Sequence, residues 1–109
     1  MTSHTIKIKP LSVNQAWKGR RFKTQAYKDY EQELYYMLPN LSIPKDEISL
    51  QIAWGFSNSA SDIDNPIKPF LDVLQHKYNF NDRMIYELIL KKQLVTKTND
   101  FINFDIRSL

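Results

Sequence analysis

The sequence predicts an α+β domain in which two main helices pack on one face of a small mixed β-sheet. Two segments place apolar residues at helical spacing, and four segments show strand patterns. They follow one another as strand, helix, strand, helix, strand, strand, an order typical of helices packed against one sheet. We expect residues 1–109 to form a single domain, because a chain of 109 residues supports only one hydrophobic core.

The first half of the chain is predicted to form a strand, a loop and a helix. Residues Thr5–Pro10 alternate apolar and polar side chains, as in a short strand. The polar, basic segment Ser12–Lys23 is predicted to be a loop. Thr24 can cap a helix that ends near Leu38, because its hydroxyl can accept a hydrogen bond from an N–H group of the first turn. The predicted buried stripe of this helix contains Ala26, Tyr27, Tyr30, Leu34, Met37 and Leu38.

The second half is predicted to form a strand, a loop and a helix, followed by two more strands. Glu47–Phe56 alternates as a half-buried strand, and the small polar residues Ser57–Ser61 form a loop after it. A helix is expected to begin at Asn65 or Pro66 and to end near Lys77. Its predicted core-facing residues are Ile67, Phe70, Leu71, Leu74 and Tyr78. The last two strands are expected over Met84–Lys97 and Phe101–Arg107.

The composition excludes several classes of protein. The chain has no cysteine, so a disulfide framework and a thiolate metal site are both excluded. No apolar run approaches the roughly 20 residues that span a bilayer, and no apolar signal segment is found near residue 1. We therefore predict a cytoplasmic protein without a membrane partner. The net charge of +3 favours a polyanionic partner only slightly.

Acidic residues are concentrated in one region that follows the predicted loop Ser57–Ser61. Asp62 and Asp64 flank a single residue, so an extended backbone would point both carboxylates to the same side. Lys68 and Asp72 lie four residues apart on the polar face of the predicted helix. Asp82 lies in the turn after that helix, and we expect the following strand to bring it back to the other two aspartates.

Converging carboxylates of this kind are typical of a metal site for phosphodiester cleavage. Two carboxylates 4 Å apart repel each other by about 4 kcal/mol at an effective dielectric constant of about 20, so a cluster needs a cation. Hard cations such as Mg²⁺ bind carboxylate oxygens, shield a phosphate and activate water. A nearby lysine such as Lys68 adds positive charge for the transition state.

Ordinary structural roles explain the same residues when each is taken singly. Asp64 and Asn65 suit a helix cap, Lys68 and Asp72 suit a surface pair, and Asp82 suits a turn. A helix–loop–helix calcium site is excluded, because a loop starting at Asp62 would place Pro66, Ile67 and Val73 at its fifth, sixth and twelfth positions. Only the combination of residues favours a metal site.

The combination resembles the signature of RusA-type Holliday junction resolvases. The resemblance is carried by Asp62–Lys68, Asp72 and Asn81–Asp82, and earlier in the chain by Asn14, Trp17, Arg21 and Tyr27. It implies a RusA-like mixed fold, a homodimer, and Mg²⁺-dependent cutting of four-way DNA junctions by paired symmetric nicks. Mn²⁺ would substitute for Mg²⁺, and no small-molecule cofactor is implied. Resolvases of this type are often carried by phages and prophages.

The resemblance also implies roles for individual residues. Asp62, Asp64 and Asp82 would bind the metal, Lys68 and Asp64 would be catalytic, and Asp72 would be a supporting acid. One departure is Asn81, which stands where family members often have a second aspartate. This departure puts a two-carboxylate role for the turn in doubt but leaves Asp82 in place.

The basic loop is the candidate DNA-binding surface. Lys18, Arg20, Arg21 and Lys23 lie within six residues, and their charges suit contacts with DNA phosphates. The structural alternative is a solvated loop in which Trp17 and Phe22 pack inward. Two other functions also stay open: a branched-DNA-binding protein that does not cut, and a nuclease for another branched DNA.

Overall fold

The fold is a mixed β-sheet with helices on one face. The computed structural model describes residues 3–19 and 22–109. Within those residues the helices are α1 Val13–Ala16, α2 Gln25–Met37 and α3 Ile67–Tyr78, with a 3₁₀ turn over Asp82–Met84. The strands are β1 His4–Ile6, β2 Trp17–Lys18, β3 Phe22–Lys23, β4 Ile48–Phe56, β5 Ile85–Leu94 and β6 Phe101–Ser108. None of the helices in the described ranges is both long and apolar enough to cross a bilayer.

The main sheet has four strands in the order β1-β6-β4-β5. β4 pairs in parallel with β5 and antiparallel with β6. The predicted α+β class with a mixed sheet is therefore confirmed. The two C-terminal strands are separated by β4, although they are consecutive in the sequence. β4, α3 and β5 form a β-α-β unit, so α3 returns the chain to the end of the sheet where both strands start.

The core lies between the helices and one face of the sheet. On β4 the side chains of Leu50, Ile52 and Trp54 are buried on the helix side, as the alternation predicted. The Trp54 ring packs edge-to-face on Phe70 of α3, with ring centroids 5.5 Å apart. The opposite face carries mainly polar side chains, but Gly55 is needed there because the ring of Phe101 occupies the space of a Cβ atom.

The prediction for α2 is confirmed at its start, where the Thr24 hydroxyl accepts a hydrogen bond from the Tyr27 N–H at 3.1 Å. Two residues of the predicted stripe, Ala26 and Met37, are exposed instead of buried. They lie in the first and last turns, beyond the middle of the helix that α3 covers. On α3 the prediction missed Val73, which is buried.

The N-terminal loop contains more regular structure than predicted. Ser12 caps the short helix α1 in a capping box with Gln15. β2 and β3 then form a two-stranded antiparallel ribbon. The capping box was visible in the sequence, but the basic composition of the segment obscured it. β5 ends at Leu94 and not at Lys97, because the chain turns with the Asn99 N–H bonded to the Thr96 carbonyl at 3.0 Å.

Candidate metal centre and DNA-binding surface

The backbone between Asp62 and Asp64 is held by a buried tryptophan. Trp54 is fully buried, and its indole N–H donates to the Ile63 carbonyl at 2.8 Å. A second hydrogen bond, from the Val13 N–H to the Asn65 carbonyl at 2.9 Å, ties the loop to α1. Because a buried indole N–H needs an acceptor, Trp54 holds the backbone of Ile63 in place and so positions the neighbouring residues Asp62 and Asp64. Sequence reasoning gave Trp54 only a core role, although its buried N–H was a signal that some acceptor must approach.

Asp62 and Asp64 are both exposed to solvent. The backbone bends at Ile63 and Asp64, so the extended conformation that we expected there does not form. The Asn65 side chain donates to Asp62 Oδ2 at 3.2 Å, and the Asp64 carbonyl accepts from the Ile67 N–H at 3.2 Å. Neither carboxylate forms a salt bridge within the described residues. Their oxygens are therefore accessible to a cation.

Asp72 joins Lys68 to a buried tyrosine. Lys68 Nζ lies 3.0 Å from Asp72 Oδ1, as the predicted helix pair requires, and the Tyr27 hydroxyl donates to Asp72 Oδ2 at 2.7 Å. Burial, and then the hydrogen bond to Asp72, raises the pKa of the Tyr27 hydroxyl. Both carboxylate oxygens of Asp72 therefore have hydrogen-bond partners, and Asp72 positions the Lys68 ammonium. The part played by Tyr27 was missed, because no local pattern links two residues 45 positions apart.

Asp82 lies at the other end of α3. Its N–H donates to the Gln75 side chain at 2.8 Å, whereas Asp64 contacts the first helical residue, Ile67. Gln75 comes eight positions after Ile67, which is about 12 Å along the helix axis at about 1.5 Å per residue. Two carboxylates that share one Mg²⁺ need oxygens within about 4 Å of each other. One protomer therefore does not bring Asp82 to Asp62 and Asp64.

The separation follows from the topology, and it corrects our expectation that the next strand returns Asp82 to the other aspartates. β5 runs parallel to β4, so its start lies at the end of the sheet opposite the loop that contains Asp62. Asn81 caps the 3₁₀ turn by accepting a hydrogen bond from the Arg83 N–H at 3.0 Å. Within the described part of the chain, no group of three or more His, Cys, Asp or Glu side chains could hold a metal ion.

The basic loop lies beside the Tyr27–Asp72 contact. Lys18 and Lys23 belong to the β2–β3 ribbon, whereas Arg20 and Arg21 lie outside the described residues. Lys23 Nζ pairs with Glu31 at 2.9 Å, and the Trp17 ring packs edge-to-face on Tyr27. Phe22 is 71% exposed, so of the two aromatic residues only Trp17 packs inward.

Comparison with known proteins assigns the family. The sequence profile described as Endodeoxyribonuclease RusA matches residues 8–101, which is most of the chain. The chain belongs to the RusA family. The match includes the β2–β3 ribbon, α3 and all three candidate metal-binding aspartates, and it confirms the resemblance found in the sequence. No curated individual protein matches the chain. RusA membership identifies an endodeoxyribonuclease of the type that acts on Holliday junctions.

Proposed function

We propose that this RusA-family chain is a Mg²⁺-dependent endodeoxyribonuclease that resolves four-way DNA junctions by paired symmetric nicks, in recombination and repair. The observation that carries the proposal is the family match over residues 8–101. The matched region includes the loop that Trp54 holds by a hydrogen bond, with the exposed carboxylates of Asp62 and Asp64. We also infer a cytoplasmic location, from the sequence composition alone.

The donor chemistry of Asp62 and Asp64 fits Mg²⁺. Both carboxylates are exposed hard-oxygen donors on a fixed backbone, and Mg²⁺ binds through one or two carboxylates while it keeps several waters. Mn²⁺ suits the same ligands. A bound ion would neutralise charge on the scissile phosphate and activate water. The two carboxylates of one protomer supply part of such a site, and we propose that cleavage also requires a third carboxylate.

We infer that the third carboxylate is Asp82 of the partner subunit in a homodimer. Asp82 is exposed and is too far from Asp62 to share an ion within one protomer. A two-fold dimer would form two such composite sites, each with Asp62 and Asp64 from one protomer and the partner's Asp82. Two symmetry-related sites suit the cutting of two opposed strands of a junction.

The remaining side chains would act on the charge of the DNA. Lys68 stands on α3, in the turn that follows Asp64, and Asp72 restrains its ammonium group. Its side chain is 60% exposed, so it can approach a phosphate and stabilise the developing negative charge. Lys18 and Lys23, with Arg20 and Arg21 in the same loop, are proposed to contact phosphates and so to position the junction.

Two inactive variants, used alone and mixed, test the proposal. Asp64→Asn and Asp82→Asn should each abolish nicking of a labelled four-way junction in Mg²⁺ while junction binding persists. In a mixed dimer, one composite site keeps all three aspartates, so mixing the variants should restore nicking to about one quarter of the wild-type rate. This estimate assumes random exchange, in which half of the dimers are mixed and each has one intact site. Sites built within one protomer would give no recovery.

The alternative is a branched-DNA-binding protein that does not cut. One observation favours it, namely that the described residues of one protomer hold no three-carboxylate group. Wild-type protein that binds the junction but leaves it intact in both Mg²⁺ and Mn²⁺ would support this alternative. Flaps, three-way junctions and duplex in the same assay would identify a nuclease for a different branched substrate.

A further inference from the structure

β5 is a long edge strand with an exposed apolar surface. It covers Ile85–Leu94, and within the described residues it pairs only with β4. Tyr86 and Leu94 are 62% and 59% exposed, and Leu88 and Ile89 are each 39% exposed. A long apolar edge strand without proline is a template for pairing with another strand. The one register shift between β4 and β5 falls at Tyr86, and Glu87–Leu94 pair with β4 without further irregularity. In contrast, the other edge strand, β1, is described over only three residues.

We propose that β5 pairs antiparallel with β5 of a second copy of this chain, about a two-fold axis at Ile89. This contact joins the two four-stranded sheets into one continuous sheet with the helices of both copies on the same face. It identifies the contact surface of the homodimer, and in that respect it rests on the proposed function.

The register is selected by a self-complementary sequence. A two-fold axis perpendicular to the sheet places one residue opposite its own copy, so the register is defined by that central residue. With Ile89 at the centre, Glu87 lies opposite the partner's Lys91, and the symmetry repeats this ion pair. Leu88 lies opposite the partner's Leu90 in the same register, so the apolar and charged side chains of Glu87–Lys91 are all matched.

Neighbouring registers lose these matches. An axis at Leu90 places Ile89 opposite the partner's Lys91 and Leu88 opposite the partner's Lys92. An axis at Leu88 places Glu87 opposite the partner's Ile89. Each of these shifts removes both ion pairs and sets a charged side chain against an apolar one, which cross-strand pairing disfavours. The sequence Glu87–Lys91 therefore favours one register over the two nearest alternatives.

The carboxylate of Glu87 is already held at this edge of the sheet. Ser49 of β4 lies opposite Glu87, and its hydroxyl donates to Glu87 Oε1 at 2.5 Å. The second oxygen of the carboxylate has no hydrogen-bond partner among the described residues and can accept a bond from a lysine across the edge. Glu87 and Lys91 both project from the face of the sheet that lacks helices, as the register with β4 requires.

Antiparallel pairing also accounts for the position of Asp82. It sets the start of β5 beside the end of the partner's β5. Near the C-terminal end of β5, Lys92 Nζ donates to the carbonyls of Ser59 and Ser61. Ser61 immediately precedes Asp62, so Asp62 lies at this end of the strand. Asp82 of one copy is thereby brought to the end of the sheet where the partner's Asp62 lies, which is the arrangement that a composite site needs.

Disulfide cross-linking tests the register directly, because the chain has no cysteine of its own. Ile89→Cys places two thiols across the axis with Cα atoms about 5 Å apart, within the range for a disulfide. The matched control is Tyr86→Cys, whose two copies would lie about 20 Å apart along the strands. Mild oxidation should link most of the Ile89→Cys protein as a dimer and leave Tyr86→Cys unlinked. Equal linking of both variants, or none of Ile89→Cys, overturns the proposal.

Charge reversal provides a second measurement, made by sedimentation without metal or DNA. Glu87→Lys and Lys91→Glu should each weaken dimerisation at least tenfold. Each variant places two like charges opposite each other at both symmetry-related 87–91 pairs. The double variant restores opposite charges and should recover most of the dimer. If Glu87→Lys weakened the dimer only by removing the Ser49 contact, the double variant would not recover, because that contact stays lost. A monomeric wild type, or a double variant as weak as the singles, refutes the interface. A β5-paired dimer that fails to cut junctions refutes the proposed function and leaves the interface intact.

Discussion

Two tyrosines of α2 offer a sharp test of the core, because the same change should alter stability in opposite directions. Tyr27 and Tyr30 are both buried, less than one helical turn apart. The Tyr27 hydroxyl donates to Asp72 at 2.7 Å, whereas the buried Tyr30 hydroxyl has no hydrogen-bond partner among the described residues. Replacing each tyrosine with phenylalanine removes one oxygen and leaves the ring in place.

The magnitudes follow from what each hydroxyl contacts. A hydrogen bond to a charged group contributes about 1.5–3 kcal/mol, so Tyr27→Phe should lower the free energy of unfolding by about that amount. Burying a hydroxyl without a partner costs about 1–3 kcal/mol, so Tyr30→Phe should raise the free energy of unfolding by about 1 kcal/mol or more. Urea unfolding followed by circular dichroism at pH 7 measures both values, with an unchanged m-value as the check on two-state behaviour.

The same pair predicts an alkaline effect. Burial raises the pKa of Tyr30 above its ordinary value, so the folded chain holds that proton where the unfolded chain releases it near pH 10. The resulting stabilisation is complete below pH 10 and is lost as the pH rises toward the pKa of the folded state. Tyr30→Phe should therefore lose stability above pH 10 less steeply than wild type, by up to about 1.4 kcal/mol per pH unit. Burial also raises the pKa of Tyr78 to about 12, so some alkaline loss persists in the variant.

Two outcomes would contradict the reasoning about these tyrosines. If both variants are destabilised by similar amounts, the Tyr30 hydroxyl has a hydrogen-bond partner as the Tyr27 hydroxyl does, and the proposed contrast between the two hydroxyls is wrong. If Tyr27→Phe leaves the free energy of unfolding unchanged, the Tyr27–Asp72 contact contributes nothing. Junction cleavage by Tyr27→Phe provides a further readout, because a freed Asp72 would hold Lys68 less firmly.

Two more substitutions test the loop and the sheet. Trp54→Phe removes the donor to the Ile63 carbonyl and should lower the free energy of unfolding by about 2–4 kcal/mol. The control is Phe104→Leu, a core change of similar cost away from the loop. Trp54→Phe should lower junction cleavage more than this control does. Equal cleavage by these two variants, both fully folded in the assay, would show that Trp54 does not position the aspartates. Gly55→Ala places a methyl group against the Phe101 ring, 2.9 Å from its Cγ atom, and should cost about 1–3 kcal/mol in urea unfolding. Adding Phe101→Leu should recover part of that loss, and no recovery would exclude the clash as its cause.

Contacts between residues close in the sequence could be predicted without the structure. The cap of α2 by Thr24 was confirmed, as was the pair of Lys68 and Asp72, because both depend only on helix geometry over three or four residues. The alternation of β4 likewise predicted which of its side chains face the core. The acidic residues and their spacing were sufficient to indicate the RusA family, which the profile match then confirmed.

The arrangement of distant segments was decided only by the tertiary structure. Periodicity predicts which face of a strand is buried, but it does not predict which strand becomes its neighbour. The sequence therefore gave no sign that β5 would lie parallel to β4, with β6 on the other side of β4. That strand order depends on packing between residues far apart in the chain, and it places the start of β5, and with it Asp82, at the end of the sheet opposite the loop that contains Asp62 and Asp64. The sequence by itself thus indicated which carboxylates to consider for the candidate site, and the tertiary structure decided that Asp82 of one protomer lies apart from Asp62 and Asp64.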